Sequence, residues 1–508
     1  MPGRIEFEVG FTRPEAEPVV RRRGSGSLRI LVLGDFSGRA NRGLHGGIEG
    51  RPAVAVDLDT LESVQERFTP ELQLPLAEGG PVETLGFRSL EAFRPESLVR
   101  ELAPFRALAE LRERLRDPAR FEAAAAEFRD RGGGVAAAGA PAAAPEPAPE
   151  AAPAAEADGD TLARLLGREP AAPSRPRPAA PATTVDISAF IHDLVAPHVA
   201  PAPAPGQALY LEAVEAAMGG QLSGLLHHPD FQALEAAWRG LHGLVTGLEG
   251  GGEVQVAVLD ITLAELAAEL EAAAGGAGAL ERLLVEPADG GAWSLLAGLF
   301  EFGADPAALA LLGRLGALAG RAGAPFLAAA GSALLGGATP AAVVESPQPL
   351  APEAEAAWQA LRRSAVAPWL GLAWPRLLLR LPYGAATDPV EGLAYEELPG
   401  GPEEGRLLWG SPALACALLI GRAFEVRGWE MEPGDVLDLG DLPAYVHEQD
   451  GLPRLYPCAG AYFGERVMEA VLGRGVMPLV SWRDRNAVRL ARFQSIADPV
   501  RALAGPWR

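Results

Sequence analysis

The sequence predicts an α+β fold: two α+β units, residues 1–131 and 183–508, joined by a disordered Ala/Pro-rich linker over 132–182. Three observations carry this. Period-two alternation marks strands, apolar residues three and four apart mark helices, and from about Gly132 to Pro181 the composition collapses to alanine and proline. Helices and short strands are intermixed without a regular βαβ alternation, which favours α+β over a doubly wound sheet.

In the first unit, Ile5, Phe7, Val9 and Phe11 alternate with Arg4, Glu6, Glu8 and Gly10. A strand with one apolar face so near a terminus must find another sheet to pair with. Residues 28–33 form a second, more continuously apolar strand, ended by Gly34 and Asp35. Residues 57–68 predict a helix on Leu58, Leu61 and Val64. Pro95 sets the first turn of another, carried by Leu98, Leu102, Phe105, Leu108, Leu111 and Leu115, which Pro104 should kink or split.

In the spacer, proline removes backbone donors and alanine brings almost no apolar area, so no core can be buried. As a flexible coil its ~50 residues would span roughly 40 Å. Residues 161–166, with Leu162, Leu165 and Leu166, are either one short helical turn or a chance apolar patch. A short helix is expected over 186–194, and a second linker-like interruption over 200–205. Leu209, Val214, Met218, Leu222, Leu225 and Leu226 then predict a long helix, continued past Pro229 by Phe231, Leu234, Trp238 and Leu241. Residues 253–261 alternate as a strand, 372–381 is a strand broken by Pro375, and 413–424 is helical.

Composition excludes several kinds of chemistry. All 44 basic residues are arginine, so a Walker A lysine, a Schiff-base lysine and a lysine general base are impossible. A net charge of −22 argues against nucleic acid and anionic membrane surfaces. The run Arg21, Arg22, Arg23 reads as a solvated loop before the strand at Leu28. Cys416 and Cys458 lie in no metal-site or disulfide spacing, which suits a reducing compartment. The apolar stretch 307–338 is interrupted by Arg314 and Arg321, seven apart on one helical face; it reads as a packed amphipathic helix, not a membrane span. No signal-peptide core is visible, and the expected location is the cytoplasm.

The one cluster inviting a catalytic or metal reading is His227, His228 and His242 with Asp230 and Glu235. The spacing does not match HExxH, and Pro229 is better read as N1 of a helix with a histidine near its cap. The turn Gly34-Asp35-Phe36-Ser37-Gly38-Arg39 follows a strand as a phosphate loop does, but lacks the loop length and the lysine. Asp388, Glu391, Glu396 and Glu397 read as an acidic, solvated loop, the alternative being a surface for an Arg-rich patch of a partner. No catalytic residue, cofactor or metal is expected.

Several motifs carry a family resemblance. In the first unit these are the strand at 4–11, Leu31 to Arg39, Phe87-Arg88-Ser89-Leu90-Glu91-Ala92-Phe93, and Leu111-Arg112-Glu113. In the second they are His227-His228-Pro229 with Phe231, Trp238-Arg239-Gly240, Phe300-Glu301-Phe302, Ala324-Pro325-Phe326, Arg380 with Pro382-Tyr383-Gly384, Leu408-Trp409-Gly410 and Gly428-Trp429. The chain resembles the small (TssB-like) and large (TssC-like) subunits of the type VI secretion contractile sheath, fused. The resemblance implies a non-enzymatic building block whose partners are itself or other sheath subunits, inner tube and baseplate proteins, and an unfoldase acting near residues 161–194. It also implies that Arg4, Ile5, Glu6, Phe7, Glu8, Val9 and Phe11 form a strand lent to a neighbour, a case of β-augmentation. Fusion would fix the stoichiometry and hold the halves at roughly millimolar effective concentration.

Family large subunits continue beyond the segment resembling Ala491 to Ile496, whereas this chain ends at Arg508. From that difference comes an alternative expectation, a sheath-derived adaptor or regulator that does not polymerise. A metal-dependent enzyme using His227, His228 and Asp230 is the remote alternative.

Overall fold

The computed structural model describes residues 26–75, 82–130, 206–248, 252–272, 278–286 and 291–507. The strand expected over 4–11, the spacer over 132–182, the turn at 161–166 and the helix at 186–194 lie outside the described residues. The described residues form two compact units: those up to residue 106 together with those from 217 onward, and those between 107 and 216.

In chain order the first elements are β1 (Leu28–Gly34), β2 (Val54–Val56), α1 (Leu61–Phe68), β3 (Glu71–Pro75), β4 (Val82–Gly86), α2 (Pro95–Glu101), α3 (Ala103–Arg116) and α4 (Phe121–Asp130). Next come α5 (Gln207–Leu226), α6 (Pro229–Gly247), β5 (Val254–Asp260), α7 (Leu263–Ala272), α8 (Ala279–Val285), β6 (Leu295–Phe302), α9 (Pro306–Ala322) and β7 (Phe326–Ala330). The rest are α10 (Pro340–Glu345), α11 (Pro352–Arg362), β8 (Leu370–Trp374), β9 (Leu377–Leu378), β10 (Trp409–Gly410), α12 (Pro412–Arg427), β11 (Asp438–Leu439), β12 (Val446–Gln449), β13 (Leu452–Leu455), α13 (Glu465–Gly473), β14 (Val476–Ser481) and β15 (Val488–Leu490).

One nine-stranded sheet organises the larger unit, in the order β11-β15-β14-β8-β7-β6-β1-β5-β2. β1 is an interior strand, third from the β2 edge, parallel to β5 on one side (Leu28 opposite Val254, Gly34 opposite Asp260) and parallel to β6 on the other. That placement explains its nearly unbroken apolar sequence, since a parallel central strand is covered on both faces. Leu31 and Leu33 join the core with Leu309, Leu312 and Leu315 of α9, while α12 packs against β1, β5, β6 and β7.

The helix and strand mixture is the α+β content expected. Between Val254 and Trp374, however, strands and helices do alternate, with β5 parallel to β1 and β6, β7 and β8 parallel to their sheet neighbours; the edge strand β2 meets β5 antiparallel. Sequence patterning hid this because β7 reads Phe-Leu-Ala-Ala-Ala and β6 is interrupted by glycine, compositions with little β-branching to mark a strand.

Most helix boundaries follow local chemistry. α2 ends at Glu101 and α3 begins at Ala103, a split set by Pro104 in the first turn of α3. α9 is capped by Asp305, whose carboxylate accepts from Ala308 N–H at 2.9 Å, and stops at Gly323 with φ 70°. Its Arg314 and Arg321 reach Glu271 of α7 and Glu281 of α8. The strand expected over 372–381 is divided into β8 and β9 at the cis Trp374–Pro375 bond.

The smaller unit is helical. Phe121 and Phe128 of α4 meet Tyr210 edge-on at 5.6 and 6.3 Å. Gln207 donates through its amide to the carbonyls of Leu115 and Arg116, closing the last turn of α3.

Candidate functional site

The turn after β1 is fixed by residues more than two hundred positions away. Asp260, at the end of β5, accepts from Phe36 N–H at 2.8 Å, Ser37 N–H at 3.2 Å and the Ser37 hydroxyl at 2.6 Å. Burial pushes its carboxyl up, against the downward pull of those hydrogen bonds. Asp35 accepts from the N–H groups of Arg39 and Ala40, and Gly38 turns the chain at φ 73°. The segment 34–39 is thus a strand-ending turn held by carboxylates.

Next to it, Thr262 and Glu265 form a capping box at the start of α7: Glu265 N–H donates to the Thr262 hydroxyl, and Thr262 N–H donates to the Glu265 carboxylate, both at 3.1 Å. The same carboxylate receives Arg39 at 2.9 Å and Arg51 at 2.8 Å. Burial alone would raise this carboxyl, but Arg51 and Arg39 outweigh it and hold it down to about 2.

The motif residues of α6 face the same way. Trp238 is fully buried, donates its indole N–H to the Phe36 carbonyl at 2.8 Å, and takes the Phe36 ring edge-on at 5.2 Å. Phe231 stands edge-on to both Phe87 and Phe93, which stack at 4.4 Å. Asp230 receives the Asn41 side-chain amide at 2.8 Å. His228 caps α6, its ring nitrogen accepting from Asp230 N–H, with Pro229 at N1.

Arg380, Pro382 and Tyr383 belong to a second, buried ionic network. Arg380 meets Glu397 with two parallel hydrogen bonds at 2.8 and 3.1 Å and Glu235 at 3.1 Å. Arg239 also holds Glu235, one helical turn away, at 2.6 Å. Glu397 further accepts from Tyr383 N–H at 2.7 Å and lies 3.2 Å from His227 Nε2. Burial would raise the Glu397 carboxyl, yet Arg380 brings it down to about 2. The Tyr383 ring covers the Arg380 guanidinium at 4.3 Å, and the Pro382 carbonyl accepts from the Thr387 hydroxyl.

The acidic loop therefore needs correction. Glu397 is 1 % exposed and salt-bridged, not solvated, and Asp388 binds Arg94 at 3.1 Å. Glu235, Asp260 and Glu265 are the other anchors that sequence reasoning did not assign. Glu235 carried a local signal in its spacing of four from Arg239 on one helix, and Glu265 in the Thr262-x-x-Glu265 capping-box spacing, whereas Asp260 carried none. His227 and His228 are separated by their partners: one faces Glu397, the other caps α6. Among the described residues, no group of three or more His, Cys, Asp or Glu is arranged to hold a metal ion. No described helix is long and apolar enough to cross a membrane.

Comparison with known proteins gives two family matches along the chain. Residues 209–497 match the family described as EvpB/VC_A0108, tail sheath N-terminal domain. Residues 27–131 match the family described as Type VI secretion system, VipA, VC_A0107 or Hcp2. Among curated proteins, the chain is similar to the type VI secretion system sheath protein TssC1 of Pseudomonas aeruginosa, 33% identical over 307 residues. That alignment covers 57% of this chain and 61% of the relative's length.

Proposed function

This chain belongs to the VipB-type tail sheath family, with a VipA-type segment ahead of it, and from that premise we propose that it is a structural subunit of a type VI-like contractile sheath carrying both subunit types. Residues 1–131 serve as the small-subunit part, 183–508 as the large, and 132–182 as the tether. The role is assembly without catalysis. The partners are further copies of the chain or other sheath subunits, then inner tube and baseplate proteins, with an unfoldase for recycling, all in the cytoplasm. Arg4 to Phe11 would serve as the strand lent to a neighbour.

One observation supports this reading most: β1, from the VipA-type segment, lies between β5 and β6 of the VipB-type segment. A strand with seven paired residues on one side cannot leave without opening the sheet, so the two segments act as one body under load. Trp238, Glu265 and Phe231 reinforce that bond from the large segment, and Phe36, Arg39, Arg51, Phe87 and Phe93 from the small one. Negative-stain electron microscopy of the purified full-length chain tests the proposal. Hollow tubes or stacked rings are expected; discrete small particles at all concentrations, with no binding to a sheath pair, would overturn it.

A further inference from the structure

The charge of this acidic chain is unevenly placed. From residue 451 onward there are nine arginines against four acidic residues, whereas residues 425–450 hold eight acidic residues and one arginine. The two stretches meet at one end of the nine-stranded sheet. β11 pairs with β15, and Leu442 and Asn486 exchange hydrogen bonds at 3.1 and 2.8 Å.

The β14–β15 turn carries exposed Arg483 and Arg485. Arg485 lies over the Trp482 ring at 4.1 Å and Arg483 over the Tyr462 ring at 4.6 Å. Tyr462 is tied down through its hydroxyl, which donates to the Leu455 carbonyl at 3.0 Å, and the Trp482 backbone N–H donates to the Ala487 carbonyl at 3.0 Å. Among the described residues, no carboxylate lies within 4.0 Å of either guanidinium. Acids are nevertheless at hand, because Arg489 on the adjoining strand pairs with Asp438, and Asp441 is exposed next to Leu442. Stacking orders these two long side chains in advance, which lowers the entropy lost when a partner docks. Arginine, tryptophan and tyrosine are also the residue types that dominate binding hot spots. Beside the turn, the β12–β13 hairpin presents Val446 and Leu452, each more than half exposed.

We infer that this turn, through Arg483 and Arg485, is a docking surface for the carboxylate-rich segment 425–450 of a second copy of the chain. The chain supplies the complementary surface itself, with Glu430, Glu432 and Asp441 exposed. A patch on one copy meeting a different patch on the next is a heterologous contact, which repeats along a filament or ring. The inference rests on the sheath reading and names one of its polymer contacts.

The experiment follows assembly of the full-length chain by light scattering and electron microscopy. Wild-type assembly should weaken as NaCl rises from about 0.05 to about 0.5 M, because exposed charges are screened. R483E/R485E should assemble at least about tenfold more slowly at low salt, with unchanged Tm, and R483Q/R485Q should fall between. Glu430→Arg with Glu432→Arg should also fail alone, yet a mixture of the two reversed proteins should co-assemble. Normal assembly of R483E/R485E, beside an assembling wild type, would refute the inference and leave the sheath reading intact. Failure of the mixture, or loss of inner-tube binding alone, would show that the turn docks elsewhere and overturn the stated partner. A wild type that assembles under no condition would bring down the sheath reading, and this inference with it.

Discussion

Trp238 donates its indole N–H to the backbone carbonyl of Phe36 at 2.8 Å, bridging 202 positions of sequence. The donor lies on a helix of the large-subunit segment and the acceptor in the turn after β1, so one hydrogen bond ties the two segments inside a fully buried aromatic contact. Trp238→Phe keeps most of the ring but leaves that carbonyl unsatisfied, at a cost of ~1–3 kcal/mol. Trp238→Ala adds a cavity and should cost about 3–5 kcal/mol. Urea unfolding midpoints of the two variants check this ordering; equal midpoints would mean that the hydrogen bond and ring contact carry no weight.

Glu265 is the meeting point of Arg39, Arg51 and the cap of α7. Glu265→Gln preserves shape and can still cap, but leaves two partly buried guanidiniums without their anion. A loss of about 3 kcal/mol is expected, in the range for breaking a buried pair from one side. A double-mutant cycle with Arg39→Ala and Arg51→Ala isolates the electrostatic part, and strictly additive losses would show that the three groups do not act together.

Much of this was legible beforehand, and the parts that were not share a cause. The residues 28–33, the split at Pro104 and the cap before Pro229 are written in local chemistry, and local reading finds them. The partners of β1 are not, because nothing in Leu28 to Gly34 names β5 and β6 as neighbours. Glu235 is half legible through its i,i+4 relation to Arg239. Glu397 was misread because its partner Arg380 lies seventeen residues back across an irregular loop, and a run of acids in a loop looks solvated until that fold is known.

Acid should weaken the larger unit through Glu265 and Glu397. Both carboxyls sit at about 2 in the fold, below the ordinary value of 4.5. Their contribution is therefore complete above pH ~5 and is lost progressively as pH falls from there towards about 2. Asp260 acts in the opposite sense, since burial raises it and its ionised form is the disfavoured one. Asp57 and Glu355 are lowered as well and Glu404 is raised like Asp260, so the lowered carboxyls outnumber the raised ones and net stability should fall in acid. Urea midpoints at pH 7, 5, 4 and 3 measure it, and the slope should flatten in Glu265→Gln; an unchanged slope would assign the acid sensitivity to other groups.

Gly38 gives the most local test of the turn that anchors the two segments. Its φ of 73° is a conformation that side chains other than glycine rarely adopt. A Cβ built there would also lie 2.2 Å from the Glu71 carbonyl oxygen, a backbone atom that cannot swing aside as a side chain would. The oxygen is held in place because β3 starts at Glu71, whose own N–H donates to the Ser37 carbonyl at 3.2 Å. Relieving the clash in Gly38→Ala must therefore move either β3 or the turn, and moving the turn disturbs Ser37 and Phe36 on Asp260. A cost of about 2 kcal/mol or more is expected, above the ~1 kcal/mol of a left-handed alanine alone. Gly43→Ala, also at positive φ (62°) but with open space around its Cβ, is the matched control and should cost only the backbone part. Equal losses in the two variants would show that the approach of Glu71 to Gly38 is not a constraint on the fold.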